Sequence, residues 1–376
     1  MLLPRIVASV TLLVTLVLNA LILGTHPPNF RSPQETPKTG NAKKIPPAEI
    51  SQLQADAEKG ELGAELRLAN AYLHGDGVPQ NEAMAAKWFR KAADQGDPAA
   101  ENQIANMYRS GIGVPRDKEE AFRWYQKAAR HGNPAGMFNL ATCYYNGDGV
   151  GSNEFIAYSW FLLAQDAGNT SADDAVKRSA TSMSANDTAD ALIRISEMCS
   201  KGQELPKDDA QSLRWLRKAA EINSRAKVML AARLLTGPEA DQHYAEVMQL
   251  CQSAATHDAN AQRCVASLYR RGFGVPKDPA EALKWYKKAA DLRNGLAAAD
   301  LGEMYASGEG ANVDRPEAFV MFVEADKLGV KGALQKARTV YQQMDKAEIK
   351  KTNGKLTERR LDPKRVLSLI QNLPAS

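Results

Sequence analysis

No His-Glu-x-x-His, no Cys-x-x-Cys and no phosphate-loop motif occurs in the 376 residues, and the five histidines fall in unrelated places. A zinc hydrolase on a helix, a thiol redox centre and a P-loop nucleotide site are therefore without their signatures. An enzyme needs a nucleophile, base or metal in mutual reach, and the sequence shows no such set. Ser224-Arg-Ala-Lys227 fits the Ser-x-x-Lys pattern of penicillin-recognising enzymes, and Lys38-Thr-Gly40 fits their Lys-Thr-Gly motif. The second motif precedes the serine and no Ser-Asp-Asn accompanies them, which makes the match a coincidence. Charge of one sign is also scarce. The formal net charge is +4, with both signs interspersed through a chain that is 24% charged. No basic face marks nucleic acid as a partner.

Long apolar runs are limited to one. Residues 6–23 carry no charge, follow Arg5 and precede Pro27 and Pro28. As a helix they would cover about 27 Å, close to the hydrocarbon thickness of a bilayer. Small residues at the usual processing positions are hard to find around Leu21 to Gly24, so residues 1–26 read as an uncleaved transmembrane anchor, with a cleaved signal peptide as the alternative. Arg5 leaves the N-terminus in the cytoplasm by the positive-inside tendency, although Lys38, Lys43 and Lys44 weaken that bias. The expectation is a single-pass protein of the inner (cytoplasmic) membrane with its body in the periplasm, or a periplasmic or secreted protein after cleavage. Residues 27–47, rich in Pro, Thr, Asn and Lys, read as a flexible linker.

The remaining chain repeats itself. Gly75-Asp-Gly-Val-Pro79 returns every 36 residues as Gly111-Ile-Gly-Val-Pro115 and Gly147-Asp-Gly-Val-Gly151, then as Gly272-Phe-Gly-Val-Pro276 and Gly308-Glu-Gly310. Gly202 and Gly237 fill the interval once about 19 residues near 169–188 are set aside as an insertion. Seven units result. These Gly-x-Gly runs join two helices rather than following a strand, so they are turns and not nucleotide fingerprints.

Asn81, Asp117, Asn153, Asp208, Asp278 and Asp314 stand six residues after the first Gly and read as helix N-caps. Glu120, Gln211, Glu281 and Glu317, three residues further on, complete a capping-box pattern. The second helix then carries Trp88, Trp124, Trp160, Trp215 and Trp285 at one slot, each with a small residue three before it. The first helix repeats Leu68, Ala69 and Tyr72 as Ile104, Ala105 and Tyr108, as Leu140, Ala141 and Tyr144, as Val265, Ala266 and Tyr269, and as Leu301, Gly302 and Tyr305. Aromatic stripes at helical spacing are core. The fifth unit, with His243 at the cap and Leu250 at the Trp slot, is expected to be irregular.

The run Ala-x3-Leu-Ala-x2-Tyr-x2-Gly-x-Gly-Val-Pro-x-Asp/Asn-x3-Ala-x2-Trp-Tyr-x-Lys-Ala-Ala resembles the Sel-1-like repeat, a relative of the tetratricopeptide repeat, over residues from about 60 to 344. The resemblance implies an all-α, right-handed α-solenoid of about seven antiparallel helix pairs, in addition to the N-terminal membrane helix. Its layout would be a capping helix at 48–60, repeats one to three at 61–169, a helical insertion at 170–188, repeats four to seven at 189–330 with the fifth degenerate, and a C-terminal capping helix and basic tail at 331–376. It further implies a non-enzymatic adaptor of the cell envelope that binds proteins or peptides on a concave face, with no cofactor, metal or small-molecule substrate. The alternatives are a secreted or periplasmic soluble effector with the same binding role, and a hydrolase of the β-lactam or peptidoglycan class.

By register with the tetratricopeptide family, the concave-face residues are Asn70, His74, Asn102, Asn106, Arg109, Phe138, Tyr145, Asn146, Glu197, Arg263, Ser267, Arg270 and Arg271. Asn70 and Asn106 share one slot, where an amide would bracket a bound backbone. Arg109, Arg270 and Arg271 would pair with partner carboxylates, and Phe138 and Tyr145 would anchor an apolar side chain. The alternative is a solvated polar face. Of the four cysteines, Cys251 and Cys264 lie about equally far from a turn near Asp258, so a hairpin would set them opposite each other while Cys143 and Cys199 stay apart. A bond there would staple the weakest unit in an oxidising compartment, by about 2 to 4 kcal/mol; two buried thiols are the alternative. Residues 346–365 hold eight Lys or Arg against three Asp or Glu and are expected to form a solvated tail, with anionic lipid or an acidic partner as other readings.

Overall fold

The computed structural model describes residues 45–236 and 240–372. The expected anchor, nearly all of the linker and Gly237 lie outside the described residues. Among the described residues there is no strand, and no helix is long and apolar enough to cross a membrane.

Nineteen helices follow one another: α1 (Pro47–Glu58), α2 (Leu62–His74), α3 (Glu82–Asp94), α4 (Pro98–Ser110), α5 (Lys118–Arg130), α6 (Pro134–Asn146), α7 (Glu154–Asp166), α8 (Ser171–Ala180), α9 (Ala185–Lys201), α10 (Asp209–Ile222), α11 (Ser224–Thr236), α12 (Ala240–Ala254), α13 (Ala259–Arg271), α14 (Pro279–Asp291), α15 (Gly295–Ser307), α16 (Arg315–Lys327), α17 (Ala333–Gln342), α18 (Lys346–Glu358) and α19 (Pro363–Gln371). They form two compact units. Unit one runs to Met183 and takes in Lys201–Lys207; unit two comprises Ser184–Ser200 and the chain from Asp208.

Six hairpins start their second helix as the sequence implies. The side chains of Asn81, Asp117, Asn153, Asp208, Asp278 and Asp314 accept from the backbone N–H three residues on, at 2.8 to 3.0 Å. The expected capping boxes are replaced by another bond. The cap residue's own N–H donates to a first-helix carbonyl nine residues back, as from Asp117 to Tyr108 at 2.9 Å, from Asp208 to Cys199 at 2.9 Å and from Asp314 to Tyr305 at 3.0 Å. Glu120 is thereby released to accept from the Trp124 indole at 2.8 Å and to pair with Arg123.

The two glycines of each turn have separate reasons. The first is the helix C-cap in the left-handed region, with φ of 74° at Gly111. The second approaches the start of the preceding second helix, and a Cβ on Gly113 would lie 2.1 Å from the Glu82 carbonyl oxygen. Trp88, Trp124, Trp160 and Trp215 are buried, while Trp285 is half-buried. The large-against-small stacking of the hairpins supplies the core.

Residues 346–365 are folded, correcting the expected tail. Helix α18 lies along α16, with Lys351 on Asp314 at 3.2 Å, Lys355 on Glu317, and Arg359 on both Glu317 (2.7 Å) and Glu324 (2.8 Å). Leu356, Val366 and Ile370 join the core of unit two. The insertion is helical too: α8 covers its first half, and its end is absorbed into the first turn of α9.

Candidate partner-binding surfaces

The first-helix residues singled out by register sit along α2, α4, α6, α9 and α13, where i, i+4 and i+7 share a face. Their surroundings divide them. Asn102 and Phe138 are buried, which removes them from the accessible surface: the Asn102 side-chain oxygen accepts from Asn139 of the next repeat at 2.9 Å, and the Phe138 ring packs 5.4 Å from Phe161. This slot therefore packs inward, joining one repeat to the next at Asn102 and the two helices of one repeat at Phe138.

The shared amide slot has a structural duty as well. Asn106 accepts from the buried Tyr125 hydroxyl of the second helix at 2.7 Å, and Ser267 stands at the same slot opposite Tyr286. Where the second helix carries Phe89, no phenol needs an acceptor, and Asn70 turns back to the Leu66 carbonyl at 2.8 Å. Burial pushes the Tyr125 phenol well above its ordinary range. The presence of Tyr after Trp124 and Trp285, against Phe after Trp88 and Trp160 and Leu after Trp215, was the available signal for this tie.

Arginines expected to meet a partner are engaged within unit two. Arg263 donates to Asp300 at 2.7 Å, and Arg270 bonds Glu309 at 2.9 Å and lies 3.5 Å from Glu303. Glu303 also meets Lys336. Burial raises the Asp300 carboxyl despite Arg263. Arg271 is exposed beside the Phe273 ring, Arg109 is half-buried over Tyr125, and Tyr145 and Asn146 are half-buried, with Asn70, His74 and Glu197 exposed. The accessible part of the predicted face is thus narrower than register implies. The Cys251 and Cys264 sulfurs are bonded, 2.13 Å apart, joining α12 to α13. Cys143 and Cys199 are buried and outside any disulfide, and burial pushes the Cys143 thiol up to about 12. Ser224, at the start of α11, is exposed.

One feature was not legible in the sequence. The fourth turn, Gly202-Gln-Glu-Leu-Pro206, lacks the second glycine and packs within unit one. Arg130 donates to the Gln203 carbonyl at 2.9 Å, and Leu205 is buried. Leu205 and Pro206 border a hollow beside Lys127, Glu101 and His131, where His131 meets the buried Glu101 carboxyl at 2.8 Å. Burial raises the Glu101 carboxyl above its ordinary value. Among the described residues no His, Cys, Asp and Glu group has the makings of a metal site.

Antiparallel helices closed by Gly-x-Gly turns and stacked through a recurring Trp define a helical-hairpin repeat protein. The Sel1 repeat model matches residues 63–97, 98–133, 134–169, 189–224, 259–294 and 295–325, more than half of the sequence, and the chain belongs to that family. Six repeats are matched; residues 225–258, with α11 and α12, form the degenerate unit. A Sel1 scaffold is in general a fold of protein interaction and not of catalysis. Among solved structures, the chain is similar to c5321, described as a protective antigen present in uropathogenic Escherichia coli strains displaying an SLR fold, at 24% identity over 88% of this chain and 76% of that one, with a TM-score of 0.42. It is also similar to a Sel1 repeat protein from Oxalobacter formigenes, at 28% identity over 78% of this chain and 80% of that one, with a TM-score of 0.37. No curated protein matches.

Proposed function

We propose that the chain is a non-enzymatic adaptor of the cell envelope, anchored through residues 1–26, that holds partner proteins or peptides on the exposed strip of its first helices. The observation that carries this is the fate of the reactive-looking residues: rings, amides and arginines go into joining hairpins, and what remains on the first helices of each unit is a polar wall. Such a wall recognises a macromolecule by many small contacts. The apolar run at 6–23 and the Cys251–Cys264 bond both fit an exported, oxidising setting.

Site-specific photocrosslinkers test the reading in intact cells. Placed at the exposed Asn70, Glu197 and Arg271, they are expected to trap a discrete partner, whereas placed at Lys87 and Glu119 on second helices of unit one they are not. Crosslinks confined to the second-helix positions would overturn the assigned face. Recovery of the full chain from the cytosolic fraction would overturn the envelope assignment.

A further inference from the structure

We propose that the cleft between the second helices α14 and α16 binds an extended, acidic peptide segment of a partner protein. The proposal rests on the scaffold reading but uses a different surface from the first-helix strip. The cleft measures about 490 Å³, with Leu301, Tyr305 and Met321 among its apolar lining and Lys287, Arg293 and Lys327 among its cations. That volume suits a few residues of peptide.

Charge selects the occupant. Three carboxylates also line the cleft, but Glu317 and Glu324 are both held by Arg359, at 2.7 and 2.8 Å. Asp291 faces the other cations, with Glu317 also within electrostatic reach of Lys287, and the four lining cations Lys287, Arg293, Lys327 and Arg359 against three carboxylates leave the opening one positive charge in surplus. The Lys287 ammonium lies 5.7 Å from the centroid of the Tyr305 ring. Leu292 and Leu296, 49% and 50% exposed, give apolar shoulders beside Arg293.

Arg293 itself occupies an unusual place. In the equivalent turns between hairpins the residue is Gly60, Gly96, Gly132, Gly168 or Gly329, with φ between 83° and 89°, whereas Arg293 adopts φ of 63°. A side chain in the left-handed region is strained, and strain of this kind collects at ligand clamps. Here it sets a guanidinium, with its planar fork for carboxylates, on the edge of the cleft.

Unit one shows what this geometry accepts. Gln126, Leu140, Tyr144 and Trp160 stand at the repeat slots of Lys287, Leu301, Tyr305 and Met321, and the hollow they line is bordered by Gln203 and Glu204. A stretch of non-helical chain is therefore seated there, its Gln203 carbonyl held by Arg130. Replacing Gln126 by Lys287 and the turn glycine by Arg293 converts a slot for a loop into one that favours carboxylates.

Fluorescence anisotropy with the full chain tests this, using as probe a fluorescein-labelled octapeptide with Glu and Asp on both sides of a central Leu-Pro. The acidic peptide is expected to bind at about 0.15 M ionic strength, where long-range attraction is largely screened. Its Gln and Asn counterpart should bind at least about 10-fold more weakly, and Arg293→Gly and Lys287→Gln should each lose about 5-fold or more. Lys87→Gln, in unit one, should bind as the parent does. Arg293→Gly should also melt at a higher temperature, because glycine suits this backbone, so lost binding there is not lost folding. Absence of acidic-peptide binding, equal binding of the amide peptide, indifference to both substitutions, or displacement by an equal concentration of inorganic phosphate would each overturn the proposal. Crosslinks at Arg271 that persist while the peptide fails would remove the cleft and leave the scaffold reading in place.

Discussion

Gly113 and Gly132 both adopt left-handed backbone, with φ of 68° and 83°, yet a methyl group would meet different things at each. At Gly113 it would fall 2.1 Å from the Glu82 carbonyl oxygen and 2.9 Å from the Ala83 nitrogen; at Gly132 nothing lies within 4 Å. Gly132→Ala should therefore cost only the conformational penalty of about 1 to 2 kcal/mol. Gly113→Ala adds a clash between backbones that cannot rotate away, and about 3 kcal/mol or more is expected. Urea midpoints of the two variants check this, and equal losses would show that the turn yields at the inter-repeat contact. The same reasoning applies to Asn106. Asn106→Ala leaves the buried Tyr125 hydroxyl without its acceptor, at about 1 to 3 kcal/mol, while Tyr125→Phe reproduces the pairing already present at Phe89 and should cost about 1 kcal/mol. The double variant should recover part of the Asn106→Ala loss; strict additivity would mean the two groups are not coupled.

At the scale of helices, the legible features were those set by neighbours in sequence: caps six residues after a glycine, a Trp at a fixed slot, a left-handed C-cap. The features missed depend on chain far away. The capping-box glutamates looked committed to their own helix, but the Tyr108 and Tyr305 carbonyls claim the cap N–H groups first. Residues 346–365 looked like a solvated tail because their acidic partners, Asp314, Glu317 and Glu324, precede them by roughly 35 residues and only folding brings the two together. Glu317 is the keystone of that contact, since both Lys355 and Arg359 reach it. Glu317→Gln should loosen α18, with a stability loss of about 1 to 2 kcal/mol for charge-assisted bonds at a partly exposed site. Limited proteolysis should then cut within 346–358 sooner, whereas Lys350→Gln, at an exposed position, should cut at the parental rate. Unchanged proteolysis of the Glu317 variant would assign the docking of α18 to Leu356 and its apolar neighbours alone.

On the scale of the whole molecule, a repeat array is stabilised by contacts between neighbours, so its weakest unit sets where it opens. That unit is the stretch 225–258, which lacks the Trp and the Asp cap and falls outside the six matched repeats. The Cys251–Cys264 bond ties its second helix, α12, to the intact repeat that follows, across a separation of 13 residues. A closed loop of that length is worth about 3 kcal/mol in the chain-entropy view. Hydrogen exchange on oxidised and reduced protein should locate the effect. With the bond intact, the amides of α11 and α12 should exchange with protection comparable to the rest of unit two; after reduction they should lose about two orders of magnitude of protection, as an opening made easier by that energy requires. Helices α3 to α7 of unit one, each with its side-chain N-cap and with every Trp in place, should exchange alike in both states. A uniform loss across both units would mean that the bond supports the fold as a whole, and no loss in α12 would mean that its packing against α13 suffices without the sulfurs.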